Sequence, residues 1–308
     1  MRKLVLIDGN AILHRAFHAL PPLTNKEGTI VNAVYGFLSM FLKILDDLKP
    51  QYIIVCFDKK APTFRQQLFV GYQAKRPKMA DDLVPQIQKV HEVLEKAKVK
   101  IFEIDGYEAD DLIGTISVQA ISGKLDGGLE VVIVSGDRDL LQLVNYHVKM
   151  LAPVVGLTKM ILFDEKMVEE KYSIKSSQII DYKALVGDQS DNYPGVKGIG
   201  PKTAASLLKE YGSFENMYKN INSLPPKISE KLATDAEQAS LAKKLATIVT
   251  DAPITLVLEN CSLTNLSMKN LKEEFEKLGF KSLLKRLQTG ATKSKKETNK
   301  SQQLGLLP

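Results

Sequence analysis

Residues 131–139 read VVIVSGDRD, in which a run of apolar β-formers leads through a Ser-Gly turn to Asp137 and Asp139. Nearly unbroken Val/Ile runs are typical of strands buried on both faces of a parallel sheet. Two earlier runs end similarly, because LVLI leads into Asp8 and IIVCF leads into Asp58. Ligands of open α/β sheets bind beyond the carboxyl ends of the strands, so we expect these carboxylates to face one crevice.

The first half of the chain alternates short apolar runs with longer stretches of helical periodicity, such as residues 31–48 and 82–98. This alternation predicts an α/β fold with a mostly parallel central sheet flanked by helices. The strands are expected at residues 3–7, 52–57, 100–104, 130–134 and 147–151.

Short helices replace the strands after about residue 165. They are expected at residues 176–186, 202–211, 236–250 and 269–278. From Gln288 onward the sequence is polar and basic and cannot bury a core. We therefore predict an α/β domain over residues 1–165, a helical domain over 166–287 and a disordered tail over 288–308.

The composition excludes several classes of protein. The 308 residues include 42 Lys+Arg and 36 Asp+Glu, a net charge of +6, and 44% are hydrophobic, which excludes collagen-like, coiled-coil and wholly disordered chains. No apolar run approaches the ~18 residues of a membrane helix, and the N-terminus lacks a secretory signal core. Cys56 and Cys261 lack CxxC spacing, which disfavours a disulfide framework or a zinc site. We expect a cytoplasmic monomer.

Charge is unevenly distributed along the chain. Residues 1–170 hold 21 basic and 22 acidic residues, whereas residues 171–308 hold 21 basic and 14 acidic residues. Within the first part, residues 59–80 carry six basic side chains and no acid. An acidic module that is crossed by a basic block and followed by a basic module indicates a polyanionic partner handled near carboxylates. Solvated surface charge is the alternative for any single lysine.

Nine carboxylates occupy predicted turn and loop positions. Taken singly, such acids commonly cap helices, at ~1 kcal/mol each, but capping explains only one or two of them. Like charges gathered on one edge need cations to neutralise them. The nine are Asp8, Asp58, Glu108, Asp110, Asp111, Asp137, Asp139, Asp188 and Asp191.

An all-oxygen ligand set favours Mg²⁺ or Mn²⁺. The histidines have no ligand spacing with the acids, because we expect His14, His18 and His91 on helices and His147 in a strand. Zinc hydrolysis and Ser/His nucleophilic catalysis are therefore disfavoured. Two ions ~4 Å apart would activate a water and stabilise the leaving oxygen of an in-line phosphodiester cleavage.

Residues 195–204, GVKGIGPKTA, predict a tight hairpin with proline at a helix start. Backbone N–H groups at that helix end would face a phosphate without reading base sequence. An ordinary helix–turn–helix corner is the alternative. The proposed contacts are Lys197, Gly198, Gly200, Lys202 and Thr203.

The basic block 59–80 interleaves Phe64, Phe69 and Tyr72 with its charges. This combination suits a single nucleic-acid strand, since bases stack on aromatic rings while the backbone is attracted to the cations. A flexible surface helix is the alternative interpretation.

The motifs together resemble those of the 5′-nuclease family, which comprises the flap endonucleases and the 5′-to-3′ exonuclease domain of bacterial DNA polymerase I. The resemblance covers residues 1 to about 287. The matching motifs are DGN at 8–10, AVYGF at 33–37, FD at 57–58, YEADD at 107–111, SGDRDLLQL at 135–143 and GDQSDNYPGVKGIGPKTA at 187–204.

The resemblance implies a PIN-like sheet and a Mg²⁺-dependent, structure-specific nuclease that cuts 5′ flaps, displaced strands and RNA primers in replication and repair. It implies that Mn²⁺ can replace Mg²⁺. It assigns one ion mainly to Asp8, Asp58, Glu108, Asp110 and Asp111. It assigns the second ion to Asp137, Asp139, Asp188 and Asp191.

The resemblance also assigns the DNA-handling segments. Residues 195–204 would form a helix–hairpin–helix that binds K⁺ through backbone carbonyls, and residues 59–80 would form a helical arch over the 5′ end. Bacterial relatives usually carry a lysine directly after the arch tyrosine, where this chain has Gln73, and we hypothesise that Lys75 supplies the missing charge. The catalytic arch residues would be Tyr72, Lys75 and Arg76. The remaining DNA contacts would be Arg15, Lys59, Lys60 and Arg65.

Residues 303–307, QLGLL, resemble the short peptide with which bacterial repair proteins bind the sliding clamp. The proposed clamp contacts are Gln303, Leu304, Leu306 and Leu307. Nothing polymerase-like follows residue 287, so we expect either a stand-alone nuclease or a counterpart of an excised polymerase domain.

Two other functions compete with a nuclease. A DNA-structure-binding protein with decayed catalysis would have lost metal-site acids, and all nine are present. A phosphatase with an aspartyl nucleophile is suggested by Asp137-Arg138-Asp139, but Asp8 is followed by Gly and Asn instead of a DxD motif. The sequence leaves the balance of exonuclease to flap-endonuclease activity open.

Overall fold

The computed structural model describes residues 1–123, 128–157 and 159–288. A six-stranded sheet in the order β3-β2-β1-β4-β5-β6 forms the centre of the N-terminal part. The first five strands are mutually parallel and β6 runs antiparallel to β5. The strands are β1 (Arg2–Asp8), β2 (Tyr52–Cys56), β3 (Lys100–Phe102), β4 (Leu129–Val134), β5 (Val148–Val155) and β6 (Lys159–Phe163).

Helices cover the sheet and build the remainder of the described chain. In the first half they are α1 (Gly9–Ala19), α2 (Asn32–Leu48), α3 (Phe64–Leu68), α4 (Val84–Lys96) and α5 (Ala109–Ser122). In the second half they are α6 (Glu165–Tyr172), α7 (Ile179–Val186), α8 (Pro201–Tyr211), α9 (Phe214–Lys219), α10 (Pro226–Thr234), α11 (Ala236–Ala246) and α12 (Met268–Lys277), followed by helical residues 281–288. A two-residue ladder, β7 (Gly187–Asp188) with β8 (Tyr193–Pro194), separates α7 from α8.

The sheet is buried on both faces because alternate residues of its central strand enter different cores. Leu4 and Leu6 of β1 pack with α5, whereas Val5 and Ile7 pack with α1, α2 and α4. All four side chains are at most 1% exposed. This two-sided burial explains why the strands read as unbroken apolar runs.

The strand order reverses at β1, which pairs with β2 on one side and with β4 on the other. Such a reversal opens a crevice beyond the carboxyl ends of the strands. Asp8 ends β1 and Asp137 follows β4, so both lie at this switch point. The topology therefore gathers residues from distant parts of the sequence at one edge.

Several predicted element boundaries differ from the structure. Strand β3 ends at Phe102, two residues early, and the antiparallel β6 was not predicted. His147 lies in a turn before β5, not in the strand, because the Asn145 carboxamide accepts its backbone N–H at 2.9 Å. Predicted helix 236–250 ends at Ala246, and the predicted start at residue 176 is a 3₁₀ turn, Ser176–Gln178, before α7.

The basic block 59–80 contains less helix than predicted. Only α3 is helical, and residues 70–75 form turns. Gln73 has φ = +56°, a left-handed conformation that interrupts any helix there. Its backbone N–H donates instead to the carbonyl of Asp191 at 2.8 Å.

The end of the described chain returns to the N-terminal sheet. Leu271 and Phe275 of α12 are fully buried in the same core as α2 and α4. Lys96 of α4 donates to buried Glu274 at 3.0 Å. The predicted division at residue 165 remains a prediction, but the final helices pack on the first part of the chain.

Among the described residues, no helix combines the length and apolar character needed to cross a bilayer. The predicted tail, apart from Gln288, and the four proposed clamp contacts lie outside the described residues.

Candidate active site

Asp8 connects β1, α1 and the turn after β4. Its Oδ1 accepts the backbone N–H of Ala11 at 2.9 Å and caps α1, while its Oδ2 accepts the Ser135 hydroxyl at 2.6 Å. The Ser135 hydroxyl also accepts the backbone N–H of Asp137 at 2.9 Å. Burial raises the pKa of Asp8 to about 7, although these hydrogen bonds oppose the rise. Sequence reasoning missed Ser135, which positions both aspartates.

Asp58 follows β2 and lies at the rim of the crevice. Its Oδ1 accepts the backbone N–H of Ala109 at 2.7 Å, and its own N–H donates to Asn10 Oδ1 at 3.0 Å. The residue is exposed at this rim, but the neighbouring protein partly desolvates the carboxylate and raises its pKa, against the effect of the Ala109 hydrogen bond. These two bonds hold the end of β2 against the starts of α1 and α5.

Glu108 and Asp110 lie at the N-terminus of α5. Glu108 accepts hydrogen bonds from Thr63 at 3.2 Å, Arg65 at 3.1 Å and Tyr72 at 3.2 Å. Burial raises its pKa to about 7. Burial also raises the pKa of Asp110, and the negative charges of Asp137, Asp8, Asp58 and Glu108 add to the effect. Each negative charge disfavours ionisation of the neighbouring carboxyl groups, so a bound cation would stabilise the ionised form of all of them.

Asp111 differs from its predicted role as a metal ligand. It is fully buried, and each of its oxygens accepts two hydrogen bonds. Oδ1 accepts from Arg65 at 2.8 Å and from the Val249 N–H at 2.9 Å. Oδ2 accepts from Arg65 at 2.8 Å and from the Glu108 N–H at 3.0 Å. With these acceptor positions occupied, Asp111 supports the site instead of facing a metal.

Arg65 correspondingly differs from its predicted role as a DNA contact. It is 2% exposed, so it cannot meet a phosphate in this conformation. The burial of Arg65 was not predicted, because Arg65 lies in a block of basic residues and the sequence alone did not show that Asp111 pairs with it.

Asp139, Asp188 and Asp191 form a second acidic group. Each offers a carboxylate oxygen, and these three oxygens lie within 4.8 Å of one another. Asp188 is the last residue of β7, and Asp191 is 7% exposed. Burial raises the pKa of Asp139 to about 7, and Asp137 contributes to the rise. One divalent ion can be held by carboxylates at this spacing.

Lys183, in the last turn of α7, forms ion pairs with both Asp139 and Asp188. Burial alone would lower the pKa of this ammonium, but Asp139 reverses the effect and raises it. Lys183 in turn helps to lower the pKa of Asp188, against the effect of burial. Sequence reasoning missed Lys183, because a lysine on a helix has the same sequence pattern whether it faces water or pairs with buried carboxylates.

The arch residues Tyr72 and Arg76 reach the same acidic group. The Tyr72 hydroxyl lies 3.2 Å from a carboxylate oxygen of Glu108 and 3.3 Å from one of Asp191, so it can donate to either. Arg76 pairs with Asp191 at 2.5 Å. Lys75 is exposed at the surface, so its proposed compensation for Gln73 would require a different conformation of the arch.

The other predicted DNA contacts differ in setting. Lys59 pairs with Asp105 at 3.7 Å, and Lys60 is exposed. Arg15 is half-buried and donates to the carbonyl of Gly156 at 3.1 Å. The contacts of Arg15 and Lys59 are with Gly156 and Asp105, which are not among the crevice carboxylates.

The hairpin at residues 195–200 presents one exposed face. Val196 and Ile199 are buried and anchor it, whereas Lys197, Gly198 and Gly200 are exposed. Gly198 has φ = +76°, and its carbonyl accepts Lys231 Nζ at 2.9 Å. Gly200 is the N-cap of α8, so the N-terminus of this helix lies on the same exposed face. Lys202 is also exposed there, and Thr203 beside it is half-buried.

A parallel sheet whose carboxyl edge gathers acids, beside an exposed hairpin that opens a helix N-terminus, is the arrangement expected of a metal-dependent nuclease. Residues 3–173 match the family model of the 5′–3′ exonuclease N-terminal resolvase-like domain, and residues 174–269 match that of the 5′–3′ exonuclease C-terminal SAM fold. The chain belongs to the 5′–3′ exonuclease family, which confirms the predicted resemblance.

Curated relatives include both polymerases and a shorter nuclease. The chain is 45% identical over 287 residues to DNA polymerase I of Caldicellulosiruptor bescii, covering 92% of this chain and 33% of that protein. It is 39% identical over 285 residues to the 5′–3′ exonuclease of Aquifex aeolicus, covering 92% of this chain and 95% of that protein. The chain therefore spans about a third of the length of the polymerase relatives.

Solved structures share the fold. The T5 D15 protein co-crystallised with metal ions has a TM-score of 0.65 at 21% identity, covering 90% of this chain and 98% of that one. The catalytic core of Rad2 in complex with DNA substrate (complex IV) has a TM-score of 0.56 at 15% identity, covering 90% and 87%. These similarities confirm the predicted fold class.

Proposed function

We propose that this chain is a divalent-metal-dependent nuclease that removes nucleotides and flaps from the 5′ ends of DNA and of RNA primers. The observation that carries the proposal is the acidic crevice, in which Asp139, Asp188 and Asp191 bring oxygens within 4.8 Å of one another beside Asp8 and Asp137. Related proteins described as a 5′–3′ exonuclease and as a Rad2 core with DNA substrate support this activity.

We propose Mg²⁺ as the ion, with Mn²⁺ as its substitute, because carboxylate oxygens suit hard cations. Asp8, Asp58, Glu108 and Asp110 would hold one ion. Asp137, Asp139, Asp188 and Asp191 would hold the other. Bound ions supply activation of the attacking water and stabilisation of the leaving oxygen.

The chain's own residues orient the substrate. The exposed hairpin face, with Lys197 and Lys202, grips the backbone of the duplex without reading its sequence. Arg76, which pairs with Asp191, would bind the phosphate beside the cleaved bond. A K⁺ ion at the hairpin would share carbonyls with Lys231, which already donates to Gly198.

The phosphatase alternative finds less support. An aspartyl nucleophile on the first strand needs a DxD motif, whereas Asp8 is followed by Gly9 and Asn10. The phosphatase interpretation would also leave the phosphate-gripping hairpin without a use. A DNA-binding protein with lost catalysis is disfavoured because the crevice carboxylates are retained.

Two further proposals concern where the chain acts and what its C-terminal residues bind. We propose that the chain acts as a monomer in the cytoplasm, in keeping with its bacterial DNA polymerase I and 5′–3′ exonuclease relatives. We also propose that residues 303–307 bind the sliding clamp.

The deciding experiment offers a labelled 5′-flap DNA with Mg²⁺, with and without a chelator. The wild type and Asp251→Ala, an exposed acid outside the crevice, should cleave only without the chelator. Asp137→Ala should lose cleavage while keeping its circular dichroism spectrum. Absence of metal-dependent cleavage by the wild type overturns the proposal, and product lengths separate exonuclease from flap-endonuclease action.

A further inference from the structure

Lys183 places a covalently attached cation among the oxygens that the proposed function assigns to a divalent ion. The lysine extends from α7, and its Nζ forms ion pairs with Asp139 Oδ1 and Asp188 Oδ2. Its side chain is 16% exposed, so solvent screens these ion pairs only partly. Together with Asp191, the two aspartates form the acidic group whose oxygens lie within 4.8 Å of one another.

An ammonium and a divalent ion cannot both occupy this position. Mg²⁺ requires its oxygen ligands at about 2.1 Å in near-octahedral directions. Lys183 already contacts one oxygen of each aspartate, and the two positive charges repel each other at short range. Entry of an ion between Asp139 and Asp188 therefore requires the ammonium to move away.

We propose that Lys183 is a competing cation, which holds Asp139 and Asp188 together and must be displaced before a divalent ion can bind between them. The inference rests on the proposed function and assigns a regulation to the same site. Competition lowers the affinity of this position for metal. A substrate phosphate restores the affinity for metal in two ways. It offers the ion further oxygen ligands, and it offers the displaced Lys183 ammonium a new anionic partner.

A purely structural role for Lys183 makes the opposite prediction. If the lysine only fastens α7 to the turn at Asp188, its removal disorders the two aspartates and weakens metal binding. If it competes, its removal strengthens metal binding. The sign of the change in affinity therefore separates the two roles.

The test measures binding of Mn²⁺ alone, by calorimetry and electron paramagnetic resonance, to the full chain without DNA. In Lys183→Met the weaker Mn²⁺ binding event should become about tenfold tighter, within the usual range for coupled sites. Lys183→Arg keeps the charge and should stay close to the wild type. Lys243→Met is the matched control, because Lys243 also bridges two carboxylates, Asp181 at 2.7 Å and Glu215, away from the crevice.

Unchanged or weaker Mn²⁺ binding by Lys183→Met overturns the inference, while two binding events and flap cleavage by the wild type would still uphold the proposed function. Failure of the wild type to bind Mn²⁺ overturns both. Thermal unfolding shows whether a folding defect of Lys183→Met explains its change in Mn²⁺ binding. Lys183→Met should unfold below the wild type in chelator and recover in saturating Mn²⁺, whereas an equal loss in both conditions contradicts the inference.

Discussion

The guanidinium of Arg65 donates to both carboxylate oxygens of Asp111, each at 2.8 Å, in a site where neither residue is more than 2% exposed. Arg65 also donates to Glu108 at 3.1 Å and to the carbonyls of Leu245 and Thr247 at 2.9 Å. All five of its N–H donors are thereby used. Arg65 joins the base of the arch to α5 and to the end of α11.

Replacing Arg65 should therefore destabilise the fold. Arg65→Lys keeps the charge but cannot supply five donors in a planar fork, so we expect a loss of about 3 kcal/mol in the free energy of unfolding. Urea denaturation provides the measurement. Exposed Lys60→Met, in the same basic block, should change this free energy by less than about 0.5 kcal/mol. If Arg65→Lys unfolds like the wild type but binds DNA more weakly, Arg65 is a DNA contact after all.

The two hairpin glycines Gly195 and Gly200 should respond differently to alanine. A Cβ at Gly195 would overlap the Leu185 carbonyl and the Gly187 nitrogen, both backbone atoms, so Gly195→Ala should cost about 1–3 kcal/mol of stability. A Cβ at Gly200 meets nothing within 4 Å. Gly200→Ala should keep its stability within about 0.5 kcal/mol and weaken DNA binding by crowding the phosphate.

Thermal unfolding and fluorescence anisotropy with a duplex separate these effects. If Gly200→Ala and the wild type bind DNA with equal affinity, a DNA phosphate does not lie close to the backbone of Gly200.

Arg76 and Lys75 should differ strongly in their effect on cleavage. Arg76 pairs with Asp191 in the crevice, whereas Lys75 is exposed. Arg76→Ala should reduce single-turnover cleavage of a 5′-flap DNA by about 100-fold, as expected when one charge-stabilising donor is lost. Lys75→Ala should change it by less than about threefold in this conformation of the arch. A large loss in Lys75→Ala would instead support its compensation for Gln73.

Deleting residues 302–308 should abolish binding to a sliding clamp while leaving flap cleavage intact. A tethered peptide binds without disturbing the domain that carries it. A pull-down with purified clamp, using a chain with scrambled residues 303–307 as the control, provides the measurement. Binding that survives the deletion rules out the peptide as the contact.

The strands at the centre of the sheet were predictable because two-sided burial imposes unbroken apolar runs on them. The edge strand β6 was not predicted although residues 160–163 read MILF, because so short an apolar run fits a helix as well as a strand, and only Phe163 of β6 is buried. The crevice acids were predictable from their positions after strands. The partners of Arg65 and Lys183 were not, since a charged residue in a basic block or on a helix has the same sequence pattern whether it faces water or a buried carboxylate.

Return of α12 to the first core constrains how the chain folds during synthesis. The apolar faces of α2 and α4 are complete by residue 96, but Leu271 and Phe275 emerge about 175–180 residues later. At usual rates of translation this interval lasts on the order of 10–30 s. Throughout it, a nascent chain leaves an apolar surface of its first domain uncovered, which makes that surface a natural binding site for ribosome-associated chaperones.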